Sequence, residues 1–178
     1  MLFRSRLLGE VRARLPLEAD AEITLEANPG TFEKDRFRAF RQAGVTRLSV
    51  GVQSFNDEHL KALGRVHDGR QARAALDEAA QVFDTFNLDL MYALPGQTLD
   101  ECMRDLEAAL SYGTTHLSLY HLTLEPNTVF AKYPPALPDD DVSASMQQQL
   151  QQRLSGAGFE HYEVSARSEE HTSELQSH

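Results

Sequence analysis

From residue 22 to residue 124 the sequence repeats one grammar: a short apolar run, a polar residue near its end, then an amphipathic stretch bounded by helix caps. The runs lie at 22–26, 47–52, 86–92 and 116–124, with a further one at 160–164. Helical spacing fills 6–15, 32–43, 57–63, 69–82, 98–112 and 142–156. Strand and helix alternating in this way require parallel strands joined by right-handed crossovers, so the fold class expected is α/β, as a sheet or a barrel. The likeness of "GVTRLSVGVQS" to "GTTHLSLYHLT" fits stacked βα units. In either architecture the loops after the strands' C-terminal ends build the functional face.

The boundaries are written in punctuation. Asn28-Pro29-Gly30 stops the first strand, Gly44 and Gly113 close helices, and Thr98 with Glu101 forms a Thr-x-x-Glu capping box. Thr31 is placed to cap the helix at 32–43, and Ser54 or Asn56 to cap the one at 57–63. Leu7, Leu8, Val11 and Leu15 mark one packing stripe, Phe37 and Phe40 a second, and Ala72, Ala75, Ala79 and Val82 a third. Cys102, the one cysteine of the 178 residues, shares a helical face with Leu99, Met103, Leu106 and Leu110 and reads as core; it excludes a disulfide framework and any site of several thiolates. No run approaches the length of a membrane span and no signal peptide opens the chain, so a cytoplasmic setting is expected. The net charge of -10 is spread without a basic stripe, which argues against nucleic acid as a partner.

Polar residues collect at the strand ends: Glu26, Gln53, Asp89 and Thr123, with Arg65 in the loop after the short helix. Glu26 reads equally as a cap or solvated carboxylate, and Gln53 equally as a cap. Asp89, inside "FNLDLMY", needs partners, because an unpaired carboxylate in an apolar strand is costly. Two carboxylates, an amide, a guanidinium and a hydroxyl suit a zwitterionic ligand carrying a ribose. They do not suit metal-assisted hydrolysis, since no His pair stands at ligand spacing. His67, His116 and His121 are expected to be surface or core histidines. P-loop, dinucleotide fingerprint and nucleophile elbow are all missing from the sequence.

Four stretches in series, "EANPGTF", "RLSVGVQSFNDEHLKALGRVHD", "NLDLMYALPGQT" and "HLSLYHLTLEPNT", resemble successive motifs of the radical S-adenosylmethionine family that contains oxygen-independent coproporphyrinogen III oxidase, and most closely its heme-chaperone branch. The resemblance covers residues 6–166 and implies a partial (β/α) barrel holding a [4Fe-4S] cluster and S-adenosylmethionine. It implies S-adenosylmethionine contacts at Glu26, the acid of E-x-[ND]-P; at Gln53, the amide of GVQ; and at Arg65, Asp89 and Thr123. It implies heme or a porphyrin as cargo and a heme-acceptor protein as partner. The alternative it carries is an oxidoreductase that removes two carboxyl groups from coproporphyrinogen III by a 5'-deoxyadenosyl radical. The family's Cys-x-x-x-Cys-x-x-Cys motif and glycine-rich GGT strand are not in the chain. "LFRS" at 2–5 and "RSEEHTSELQSH" at 167–178 resemble translated sequencing-adapter ends. The expectation is therefore a barrel fragment at 6–166, truncated at both ends, with adapter-derived flanks at 1–5 and 167–178. Alone it is expected to bind no cluster and to be inactive.

Overall fold

The computed structural model describes residues 2–31, 36–162 and 166–169. In chain order the elements are α1 (Leu2–Arg14), β1 (Thr24–Ala27), a single 3-10 turn (Pro29–Thr31), α2 (Arg36–Ala43), β2 (Arg47–Gln53), α3 (Asp57–Ala62) and α4 (Gly69–Val82). They continue with β3 (Phe86–Tyr92), α5 (Leu99–Leu110), β4 (His116–His121), α6 (Val129–Lys132), α7 (Asp140–Gly156), β5 (Phe159–His161) and β6 (Ala166–Glu169). The expected start of the second helix, residues 32–35 after Thr31, falls outside the described residues, as do 163 and 164 of the last expected strand.

Strands β1 to β4 lie side by side in sequence order, all parallel, within a sheet ordered β1-β2-β3-β4-β6-β5. Their alternate residues Leu48, Val50, Val52, Leu88, Leu90 and Leu117 join Phe37, Phe40, Leu76, Leu106 and Met146 in one core, so helices and sheet bury a common apolar layer. Full burial of each such aliphatic side chain is worth roughly 1.5–3 kcal/mol. Ala72, Ala75 and Ala79 are fully buried along α4, where small side chains bring the helix close to the sheet. Capping boxes fix the entries to α4 (Asp68 with Gln71) and α5 (Thr98 with Glu101), and Asn56, whose side chain accepts from the Glu58 N–H, caps α3.

Three expectations need correction. The α1 stripe is only partly used: Leu8 packs against the core, while Leu7 and Leu15 are about half exposed. This helix rests chiefly on α2, and Arg12 donates to the Gly44 carbonyl (3.2 Å). The fourth strand is shorter than the apolar run, ending at His121 rather than Leu124. Beyond it, the parallel progression stops. β6 pairs antiparallel with β4, matching His116 to Ser168, and β5 pairs antiparallel with β6. The outer edge of β4 offers backbone groups for pairing, and β6 meets it with Ala166, Arg167 and Ser168, the last two from the adapter-like stretch.

Candidate functional site

The residues of β2, β3 and β4 that do not enter the core form a polar face. Parallel register sets Glu26, Ser49, Asn87 and His116 in one row across four strands, and Gly51, Asp89 and Ser118 in the next. Strands buried on both faces normally read as continuous apolar runs, so this alternation marks a face reserved for something polar.

Asp89 sits at the centre. Its Oδ2 accepts from the Ser49 hydroxyl (3.1 Å) and its Oδ1 from the Asn87 amide (2.6 Å). Asn87 also donates to Ser49 Oγ (3.0 Å) and accepts from Ser118 (3.2 Å). Burial pushes the Asp89 carboxyl above the usual range; Ser49, Asn87 and Ser118 pull it back, and the nearby Glu26 charge raises it again. Glu26 and Asp89 are therefore two carboxylates within electrical reach of each other.

Gln53 closes the same end of β2. The strand carries an irregularity between Gly51 and Gln53, and Gln53 adopts a left-handed backbone with φ of 70°. Its side chain folds back over Gly51: a Cβ built there would stand 3.0 Å from Gln53 Nε2 and 3.1 Å from Asn28 Oδ1. Arg65 donates to that same Asn28 oxygen (3.3 Å). The ring of His67, two residues on, bonds the Val52 carbonyl through Nε2 (3.1 Å). Burial lowers the His67 pKa, with Arg65 acting in the same direction, and because the Val52 carbonyl can only accept, Nε2–H is the donor.

Glu26, Gln53, Arg65 and Asp89 thus share one end of the sheet, linked through Asn28, Gly51 and Ser49. Thr123 stands apart: it lies two residues past the end of β4, exposed, donating to Glu125 Oε1 (2.9 Å). With Leu63, Glu125, Thr128, Val129 and Phe130 it lines a shallow groove of about 270 Å³. Sequence reasoning missed Asn28, Ser49, Asn87 and Ser118, although polar residues at every second position of "RLSVGVQ", "FNLDL" and "HLS" carried the signal.

At the opposite end of the same face Arg47 pairs with Glu22 (3.2 Å). Burial and the Arg47 charge depress the His116 pKa to about 4. Of the histidines questioned in the sequence, His67 and His116 are buried and His121 is exposed. Among the described residues no group of three or more His, Cys, Asp or Glu could hold a metal. Cys102 is buried on α5, where desolvation and the nearby Asp105 push its thiol up to about 12. One inert thiol does not fit an iron–sulfur cluster, whereas the donor set around Asp89 fits a cationic ligand bearing hydroxyls.

A family model, the Radical SAM superfamily, matches residues 3–109. The chain is 53% identical over 161 residues to the "Heme chaperone HemW" of Escherichia coli, covering 90% of this chain and 43% of that protein. It is 43% identical over 165 residues to "Radical S-adenosyl methionine domain-containing protein 1, mitochondrial" of Mus musculus, covering 89% of this chain and 37% of that one. Among solved structures, the coproporphyrinogen III oxidase HemN of Escherichia coli, described as a Radical SAM enzyme, superposes with a TM-score of 0.83 at 28% identity. That likeness covers 93% of this chain and 39% of HemN and shows the four parallel strands with their helices to be part of a radical SAM α/β barrel. The chain spans about two fifths of the length of the curated relatives it matches. With the family model matching well over half of its residues, the chain belongs to the Radical SAM superfamily.

Proposed function

We propose that this chain supplies the S-adenosylmethionine-binding wall of a heme chaperone of the HemW type. The observation that carries the reading is the pairing of Glu26 with the partly desolvated Asp89 beneath the folded-back amide of Gln53. Two carboxylates so placed that the charge of Glu26 raises the pKa of Asp89 favour a ligand that brings positive charge, and the sulfonium and ammonium of S-adenosylmethionine do so. Glu26 takes the ammonium, Asp89 accepts from ribose hydroxyls, Gln53 offers an amide to hydroxyl or base edge, and Arg65 forks onto the ligand's carboxylate. Thr123, set apart from this group on the groove beyond β4, is the fifth contact proposed. The bound sulfonium supplies one-electron chemistry when a reduced iron–sulfur cluster stands beside it. The ligands of that [4Fe-4S] cluster are not among the 178 residues, which contain one cysteine. On this reading residues 6–166 are the native part of the chain, the flanks are foreign, and the chain alone performs no radical cleavage.

Heme or another porphyrin as cargo, a heme-acceptor protein as partner and a cytoplasmic setting complete the reading. Support for the chaperone comes from the 53% identity to HemW. Among the described residues no helix is long and apolar enough to cross a membrane. The superposition on HemN favours a second reading, coproporphyrinogen III oxidase, in which the same wall serves oxidative decarboxylation.

The test is made on the full-length gene product with its cluster reconstituted. Stable heme retention without coproporphyrinogen turnover supports the chaperone; turnover to protoporphyrinogen overturns it. For the wall itself, Asp89→Asn is expected to weaken S-adenosylmethionine binding at least about tenfold by calorimetry. An unchanged dissociation constant removes Asp89 from the site.

A further inference from the structure

Gln53 holds its amide in place at a backbone angle that a side-chain-bearing residue seldom adopts, with φ of 70°. Such a conformation persists only where its surroundings over-determine it. The residues that follow explain how. Ser54 is fully buried, and its hydroxyl donates to Oδ2 of Asp105, on α5, at 2.6 Å. The Phe55 N–H donates to the other oxygen, Oδ1, at 2.9 Å. Ser54 Oγ in turn accepts from the Asn56 N–H (3.0 Å), which ties the same carboxylate to the N-cap of α3. Asp105 is itself buried, and its two oxygens are spent on the two residues immediately after Gln53. The Phe55 ring is locked as well: it stacks on Tyr112 (6.2 Å, 8° between planes) beneath the Arg73 guanidinium at 4.6 Å.

We propose that Asp105 is a positioning residue for the ligand site: a buried clamp on Ser54 and Phe55 that fixes the left-handed turn at Gln53 and so aims its amide across Gly51 toward Asn28. The proposal rests on the assignment of Gln53 to an S-adenosylmethionine site. A helix carboxylate of purely structural purpose would stabilise the loop without regard to the amide. This one grips the chain at the two residues that determine where the amide points. With the clamp removed, the turn relaxes toward ordinary φ and Gln53 swings off Gly51.

The test is a double-mutant cycle in the full-length protein, read as the dissociation constant for S-adenosylmethionine by calorimetry. Gln53→Ala and Asp105→Ala are each expected to weaken binding about tenfold, and the double variant no further than about threefold beyond Gln53→Ala alone, since residues acting through one another are not additive. Asp105→Asn, which keeps one acceptor oxygen for the Phe55 N–H, is expected to restore affinity to within about threefold of wild type. Fully additive losses, or Asp105→Ala binding like wild type while Gln53→Ala does not, overturn the clamp and leave the site standing. If Gln53→Ala itself binds normally, the site assignment falls and takes the clamp with it. Should Asp105→Ala fail to fold, Ser54→Ala removes one of its bonds and completes the same cycle with the same outcomes.

Discussion

Gly51 and Gln53 occupy one space: the Nε2 of Gln53 rests 3.0 Å from the point where a Cβ on Gly51 would lie. The glycine is there for room, since its own φ is not in the left-handed region. Gly51→Ala would press on the ends of two side chains, Gln53 and Asn28, which must move by a few tenths of an ångström, while the Ala27 carbonyl at 3.7 Å is an ordinary contact. Stability is expected to change by less than about 1 kcal/mol, while S-adenosylmethionine affinity falls roughly three- to tenfold through the displaced amide. Thermal melts and calorimetry on one sample separate the two effects.

Asp89 should cost the folded chain stability at neutral pH. Its folded pKa is raised, chiefly by burial, so its favourable contribution is full below the unfolded value of 3.8 and is lost as pH rises through the folded value. Asp89→Asn is expected to melt at higher temperature than wild type at pH 7, with the gain vanishing in acid. A variant less stable than wild type at pH 7 contradicts this.

His116 acts at the other limb. Its folded pKa of about 4 lies below the ordinary imidazole value of 6.5, with burial as the main cause and Arg47 as the second. The stability it lends is fully present above 6.5 and is lost as pH falls toward 4, for a total of up to roughly 3 kcal/mol. Urea midpoints taken at intervals across that range should slope downward with acid for wild type. The slope should flatten in His116→Leu.

Cys102 is 3% exposed and its thiol is pushed up to about 12, so almost none of it is thiolate at pH 8. Iodoacetamide is expected to label it no faster than the chain opens, with full labelling in denaturant. Rapid modification of the folded chain would place the residue elsewhere than in the α5 core.

Much of this architecture is legible in the sequence because its devices are local. Thr98 and Glu101 cap α5 within one turn, and Phe37, Phe40, Ala72 and Ala79 declare their faces by spacing alone. What the sequence conceals is relation at a distance. Ser49 and Asn87 look like incidental polar residues until parallel register places them beside Asp89. Asp105 reads as one more acid on an amphipathic helix; its bond to Ser54 spans 51 positions that no periodicity encodes. Thr123 inherits its expected place from an apolar run that outlasts the strand by three residues, because backbone pairing, and not hydropathy, decides where β4 stops. The antiparallel turn of β6 is likewise decided by an open edge and not by any pattern in the residues that fill it.

The left-handed backbone at position 53 has an evolutionary consequence. Glycine would adopt φ of 70° with less strain than glutamine, and asparagine also tolerates it with a shorter amide. A library of this chain selected for heat resistance alone should therefore drift to Gly or Asn at that position. Survivors would be sturdier and, on the proposed reading of the site, would bind the ligand about tenfold more weakly with the amide withdrawn. If Gln53 serves the proposed site, variants selected for binding should keep glutamine there, and variants selected for stability alone should not.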